Sequence, residues 1–200
     1  AFLASTASAC QALGCGLVTL CTGTRNRESM WRWHDDNLLP EAWEDLIGSM
    51  ARAMAIADEF DVQLGIETEA SNVVNTPERD RRLLDEMRSP RLCIIMDAAN
   101  LFQRGQARPE NVHRILDHAF TLLGGEIGLA HGKDIKAGDG LEFTHAGNGI
   151  IDFDHFVEKL QEAGYQGPLL VHGIKHEEDF PAVVSFMRGV LARHPARGSD

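Results

Sequence analysis

Short apolar runs alternate with amphipathic segments along nearly the whole chain. The runs have the length of strands and predict five of them, at 16–22, 62–67, 91–97, 126–131 and 168–172. Apolar residues at helical spacing predict helices to about Leu13 and at 40–60, 76–88, 109–123, 152–163 and 179–193. An uninterrupted alternation of strands and helices is typical of an α/β fold built on a parallel sheet.

Four of the predicted strands end on a residue that can bind a metal ion. Glu67, Asp97, His131 and His172 each stand at the C-terminal end of a strand. In a parallel barrel these ends open onto one mouth, so residues distant in sequence are expected to meet there. Carboxylate and imidazole groups that converge on one point predict a divalent metal site.

Five strand–helix units are too few to close an eight-stranded barrel. At about 30 residues per unit, closure requires about 80 to 90 more residues, which we expect upstream of the helix that ends near Leu13. We therefore predict that residues 1–200 form a single domain of the TIM (β/α)8 barrel type, supplying strands four to eight and lacking the first three. An open doubly wound sheet is the alternative.

The amino-acid composition indicates where the protein is located in the cell and which classes of partner it can bind. With 44% hydrophobic and 24% charged residues the chain is typical of a globular protein. Its net charge of -11 argues against nucleic acid or an anionic membrane as a partner. No apolar stretch approaches the ~18 residues of a membrane span. Four cysteines without C-x-x-C spacing indicate free thiols and a cytoplasmic location.

The strand ends, with the segments that follow them, resemble the xylose isomerase-like TIM barrels, the sugar phosphate isomerase and epimerase superfamily. The resemblance rests on Glu67, on Asp97-Ala-Ala-Asn100 and His131-Gly-Lys-Asp134, and on the Gly147-Asn-Gly149 loop, in that order. It extends over nearly the whole chain. It implies that strands five, six and seven supply Glu67, Asp97 and His131 to a divalent ion, Mn²⁺ first, with Mg²⁺, Co²⁺ and Zn²⁺ as alternatives.

The chain departs from that family at the last strand. Where such proteins usually have a second glutamate, which shares proton transfer with the first, this chain has His172. Imidazole can still bind the ion, but the second base must be His172, another residue, or absent. Within the implied site we expect Glu67, His172 and Lys133 to be catalytic, with Lys133 stabilising an enediolate oxygen. A solvated loop lysine is the alternative.

The resemblance implies a metal-dependent isomerase or epimerase that acts on a sugar, sugar phosphate or related polyol through an enediolate. The same site would also suit a dehydratase or lyase that acts on a keto-inositol or keto-glycoside. A third alternative is a catalytically degenerate or truncated barrel that binds a metal or a partner without turnover. Homo-oligomerisation is possible in each case.

Several residues are candidates for contact with a carbohydrate. The loop at 23–39 contains two indoles, whose faces can stack on sugar C–H groups; anchoring of the loop by the two tryptophans is equally compatible. Asn100 either contacts a ligand or caps the next helix. The predicted substrate-binding residues are Trp31, Trp33, His34, Asn100, Asp134 and His145.

Overall fold

Parallel strands form the sheet of the first of two units into which the chain divides, Ala1–Ile95 and Met96–Asp200. The structure is a computed structural model, and it describes residues 2–195. The elements of the first unit are α1 (Phe2–Leu13), β1 (Leu17–Leu20), α2 (Pro40–Glu59), β2 (Gln63–Glu67) and α3 (Pro77–Met87). The next strand, β3 (Leu92–Asp97), begins in the first unit and ends in the second.

In the first unit β2 pairs in parallel with both β1 and β3. The register places Glu67 opposite Ile95. A Cβ atom on Gly65 would lie 2.3 Å from Cδ1 of Ile95, so a glycine is needed where that side chain crosses the strand. On the other face Leu64 and Ile66 are fully buried. Alternate residues of β2 therefore point to opposite faces, as the strand pattern predicts.

The second unit contains α4 (Val112–Leu123), β4 (Ile127–Ile135), β5 (Phe143–His145), α5 (Phe153–Glu162), β6 (Leu169–Val171) and α6 (Phe180–Arg193). Strand β4 pairs in parallel with β6 and antiparallel with β5. The apolar face of α5 lies in the core, where Phe153, Phe156, Val157 and Leu160 are all buried.

N-cap residues and a first-turn proline mark the start of two of these helices. Thr76 accepts a hydrogen bond from the backbone of Arg79 at the start of α3, and Pro77 occupies the first turn. Asp152 caps α5 in the same way through the backbone of His155. These caps satisfy amides that have no partner inside the helix.

The predicted elements agree with the structure apart from one segment. All five predicted strands and all six predicted helices are present, and the α/β class is confirmed. Strand β4, however, continues to Ile135, and β5 lies within 132–151, a segment whose sequence has no strand periodicity.

The cysteines are free thiols. No helix of the described residues combines the length and apolarity that a membrane crossing requires.

Asp134 joins β4 to the loop that follows β5. Its Oδ1 accepts hydrogen bonds from the backbone amides of Ile135 and Ile151, at 2.8 and 3.0 Å. Its Oδ2 accepts from those of Gly147 and Gly149, at 3.1 and 2.9 Å. A Cβ atom on Gly149 would lie 2.2 Å from Oδ1, so the loop needs a glycine to approach the carboxylate this closely.

Asp80, in the first turn of α3, is buried, and it forms no ion pair with any residue between 2 and 195. The Thr68 hydroxyl donates to its Oδ2, and its Oδ1 has no hydrogen-bond partner among the described residues. Burial raises the pKa of Asp80 to about 8, against the lowering effect of the Thr68 hydrogen bond, and the nearby charge of Glu78 raises it further. The carboxyl group is therefore mostly protonated at neutral pH.

We expect Asp80→Asn to stabilise the protein increasingly as the pH rises from about 5 to about 8. An unfolded aspartate has a pKa of about 3.9, so between that value and the folded one the folded state binds more protons than the unfolded state. The parent's free energy of unfolding then falls with pH, by at most about 1.4 kcal/mol per unit, and levels off above the folded pKa. Asparagine keeps the shape and cannot ionise.

The measurement is urea denaturation of parent and variant across this pH range. Asp85→Asn is the matched control, because Asp85 lies on the same helix with its side chain 64% exposed. A difference between the parent and Asp80→Asn that stays constant with pH would contradict the assignment.

A second prediction concerns Asp134. Burial raises the pKa of Asp134, against four backbone hydrogen bonds that lower it. In Asp134→Asn an amide NH₂ group would face two of the four backbone donors. We expect the free energy of unfolding to fall by roughly 2 to 4 kcal/mol, because buried donors lose their acceptor. Asp139→Asn, in the loop between β4 and β5 with a side chain 90% exposed, should change it by less than about 0.5 kcal/mol. Equal effects of the two substitutions in thermal or urea denaturation would count against this role.

Candidate metal centre

Asp97 ends β3 with one carboxylate oxygen already committed to the backbone. Its Oδ1 accepts hydrogen bonds from the amides of Ala99 and Asn100, at 2.9 and 3.3 Å. These bonds fix the side chain at the turn that follows the strand, and the side chain is 1% exposed. The other oxygen, Oδ2, is thereby aimed at the side chains of β4 and of the residue after β6.

Three nitrogen atoms surround Oδ2 of Asp97. The Nε2 atom of His172 lies 2.9 Å away, the Nζ atom of Lys133 3.2 Å and the Nδ1 atom of His131 3.6 Å. The two imidazole rings meet edge to face, with centroids 4.5 Å apart. Asp97, His131 and His172 each offer a ligand atom, and these atoms lie within 4.8 Å of one another.

Parallel pairing of β4 with β6 brings the two histidines together. The register places His131 opposite Leu170, and His172, two residues after Leu170, directly follows β6. A Cβ atom on Gly132 would lie 2.8 Å from Cδ2 of Leu169, so the close approach of the two strands needs a glycine there. Because parallel strands end at the same edge, both imidazoles reach the carboxylate that ends β3.

The charge of Asp97 is maintained by its neighbours. Burial by itself would raise the pKa of Asp97, but the positive charge of Lys133 and the hydrogen bonds with His131 and His172 hold it well below its usual range. The carboxylate is therefore ionised. An ionised carboxylate oxygen and two imidazole nitrogens suit Mn²⁺, Co²⁺ and Zn²⁺, so these residues fit a divalent ion.

Lys133 and Asn100 lie beside this cluster and contact each other. The Lys133 ammonium donates to Oδ1 of Asn100 at 2.6 Å and stands 4.6 Å from the centroid of the Phe143 ring. Both residues are buried. Lys133 is thus an inward-facing lysine, not a solvated loop residue. The Asn100 side chain contacts Lys133, and the N-cap position of the next helix, α4, is occupied by Asn111.

Asp134 and His145, two predicted substrate-binding residues of the second unit, lie near Lys133. Both oxygens of Asp134 are engaged by the loop described above, which favours a structural role over contact with a substrate. His145 pairs with Lys133 across β4 and β5, is half-buried, and its Nδ1 lies 3.1 Å from the carbonyl of Ala146. Neither residue is a ligand candidate in the cluster.

The remaining predicted residues belong to the first unit. Glu67 is half-buried at the end of β2. Trp31 is 62% exposed, and the indole of Trp33 donates to Oδ1 of Asp35 at 2.9 Å. The Nδ1 atom of His34 accepts from the amide of Asp36, and His34 lines a cavity of about 940 Å³.

The shape of the loop at 23–39 depends on a residue that the sequence analysis does not identify as buried. Asn37 is fully buried, and its Oδ1 accepts from the amide of Arg25 at 2.6 Å while its Nδ2 donates to the carbonyl of Ser71 at 3.0 Å. An asparagine among charged loop residues carries no sequence signal of burial. Phe143, against which the Lys133 ammonium packs, was also missed because it lies in the segment without periodicity.

Comparison with known proteins places these features in a family. The chain is 30% identical over 164 residues to an inosose dehydratase of Geobacillus kaustophilus (strain HTA426), an alignment that covers 73% of this chain and 49% of that protein. The chain thus spans about half the length of this curated relative. Its fold is also similar to two solved structures, at sequence identities that support the fold alone.

One of these structures is a D-tagatose 3-epimerase-like protein, with a TM-score of 0.74, 18% identity, and coverage of 95% of this chain and 67% of that one. The other is the IolI protein with a bound zinc atom, with a TM-score of 0.68, 15% identity, and coverage of 96% and 66%. The predicted fold class is confirmed. The sequence pattern of the xylose isomerase-like TIM barrels matches residues 1–190, and the chain therefore belongs to that family.

Proposed function

We propose that this chain carries the metal centre of a divalent-metal-dependent isomerase or epimerase of a sugar or related polyol. The observation that carries the proposal is the convergence of His131 and His172 on the buried, ionised carboxylate of Asp97. Purely structural histidines would not need a carboxylate oxygen turned toward them while its partner oxygen is held by the backbone. Membership of a family whose relatives include an epimerase-like protein supports the same chemistry.

Asp97, His131 and His172 would hold the ion, and we propose Glu67 as the fourth ligand because it ends the strand that precedes β3. Mn²⁺ is the proposed ion, with Mg²⁺ and Co²⁺ as alternatives; the zinc in the IolI structure makes Zn²⁺ another. When bound, such an ion would polarise a substrate carbonyl and lower the pKa of the neighbouring C–H group.

The chain's own residues would move the proton. Glu67 is proposed to remove it as a general base. Lys133 would offset the negative charge that develops on the substrate oxygen. His172 has two alternative tasks, because the nitrogen atom that binds an ion has no lone pair left for a proton. If His172 is not a ligand, it is the proposed second acid–base group that returns the proton.

The proposed substrate contacts lie in two places. Asn100 and His145 stand beside the metal centre, and the loop with Trp31, Trp33 and His34 borders the cavity in the first unit. A cavity lined largely by polar and charged residues suits a carbohydrate. The expected cytoplasmic location and a homo-oligomeric state stay predictions.

Dehydration of a keto-inositol is the second candidate function. The observation that favours it is the similarity to an inosose dehydratase, and His172 in place of the usual glutamate fits it about as well as it fits an isomerase. Both reactions begin with removal of a proton next to a carbonyl group. They differ afterwards, because the isomerase returns a proton, whereas the dehydratase expels a neighbouring hydroxyl group as water.

We expect the protein to retain about one Mn²⁺ ion per chain after desalting, and Asp97→Asn to retain almost none. The substitution keeps the shape of the side chain but removes the charge that attracts the ion. Asp117→Asn is the matched control, since Asp117 also bonds to a histidine, His155, at 2.7 Å but lies on the exposed face of α4. Elemental analysis gives the result, and equal ion content in all three proteins would contradict the proposed centre.

Turnover would be tested by incubating the manganese-loaded protein in D₂O with ketoses and inososes. An isomerase or epimerase should introduce deuterium next to the carbonyl group and form a sugar isomer. A dehydratase should instead form a product that has lost one molecule of water. We expect Glu67→Gln to slow exchange by about 10²-fold or more, and exposed Glu59→Gln to leave it unchanged. A protein that binds Mn²⁺ but catalyses no exchange would be the binding-only barrel.

A further inference from the structure

Lys133 is a buried cation inside the candidate metal centre. Its side chain is 9% exposed, and its ammonium lies 3.2 Å from Oδ2 of Asp97, the oxygen that also faces the two histidines. An ion held by this oxygen would therefore lie close to a positive charge. We infer that Lys133 is a built-in counter-cation of Asp97, a positioning residue that preserves the centre without an ion and weakens the binding of divalent ions. This inference rests on the proposed function, which places an ion here.

The surroundings of Lys133 confine its side chain. Gly173 has a φ of +78°, and a Cβ atom there would lie 3.2 Å from Cγ of Lys133 and 2.8 Å from the carbonyl oxygen of Thr144. The backbone thus runs directly over the lysine stem. The Phe143 ring lies 4.6 Å from the ammonium. An enclosed stem and an aromatic wall keep the charge beside Asp97.

Lys133 weakens the binding of a divalent ion because its charge neutralises that of Asp97. With neutral imidazoles, the single negative charge of Asp97 is matched by the single positive charge of Lys133. A divalent ion entering this part of the centre meets a carboxylate that is already paired, and it is repelled by an ammonium a few ångströms away. At partly buried sites such interactions are strong enough to change an affinity by orders of magnitude. The same ligands without the lysine would bind the ion more tightly.

Asn100 sets how strongly the ammonium acts on Asp97. The Lys133–Asn100 distance of 2.6 Å is shorter than the Lys133–Asp97 distance of 3.2 Å, so the neutral amide holds the ammonium more closely than the carboxylate does. A carboxylate in place of this amide would neutralise the ammonium without removing the lysine.

The test is titration with Mn²⁺ alone, followed by calorimetry or by competition with a fluorescent chelator. Lys133→Met should bind Mn²⁺ about tenfold or more tightly than the parent, because a nearby repulsive charge is gone. Lys136→Met is the matched control, since Lys136 also donates to an asparagine, Asn148, at 2.9 Å, but in an exposed position. Its affinity should stay within about twofold of the parent.

Asn100→Asp tests the same inference with the lysine in place, should Lys133→Met fail to fold by circular dichroism. It too should bind Mn²⁺ more tightly. Unchanged or weaker binding by the folded variants would overturn the inference, because Lys133 would then be remote from the ion or needed only to hold Asp97 in place. If Lys133 served only to hold Asp97 in place, its replacement would weaken Mn²⁺ binding.

Failure of the inference is distinguishable from failure of the proposed function. If the parent binds Mn²⁺ and Lys133→Met binds it more weakly, the metal centre stands and the inference is wrong. If the parent binds none and Lys133→Met binds it, the inference holds, the lysine takes the place of the ion, and the metal-dependent function is wrong. If neither binds Mn²⁺, both are wrong.

Discussion

A buried negative charge must be compensated, and the compensation of Asp97 organises the candidate site. A carboxylate without water around it is stable only with cations or hydrogen-bond donors close by. Here two backbone amides hold one oxygen, and Lys133, His131 and His172 surround the other. The same neighbours that keep Asp97 ionised are the groups that a divalent ion would join or displace. Compensation of the buried charge and readiness for metal binding thus involve the same oxygen atom.

Three buried aspartates of this chain meet the same constraint in three ways. Asp97 stays ionised because cationic and imidazole groups lower its pKa. Asp134 receives four backbone hydrogen bonds, which oppose the effect of burial on its pKa and hold a loop in place. Asp80 has a hydroxyl as its one identified partner, and burial keeps it protonated near neutrality. The surroundings, and not the residue type, decide whether a buried aspartate is a ligand, a clamp or a neutral hydrogen-bonding group.

Glycines allow these side chains to meet. Gly132 permits the close pairing of β4 with β6, and Gly173 lets the backbone pass over the Lys133 stem. At Gly149 the loop approaches the carboxylate of Asp134. In each place a Cβ atom would lie within about 3 Å of its neighbour, closer than packed atoms tolerate. The geometry of the centre is therefore set by small residues between the functional ones as much as by the functional residues themselves.

The strands and helices of this chain are determined by local sequence. Apolar runs of strand length and helical periodicity are local properties, which is why β2, β3 and α5 lie where the pattern predicts. The sequence also predicts that Asp97, His131 and His172 converge, because the parallel arrangement brings these parts of the strands to one edge. It places His131 at a strand end, whereas β4 continues to Ile135.

Other features were decided by tertiary structure alone. The sequence does not reveal that β5 pairs with β4, that Asn37 is buried, or that Lys133 lies against Asp97 beneath Gly173. Nor does it reveal that four backbone amides engage the carboxylate of Asp134, a predicted substrate contact. Each of these depends on partners far along the chain or on backbone amides that any residue could supply. Periodicity and residue type carry no record of such partners, and only the folded chain brings them within hydrogen-bonding distance.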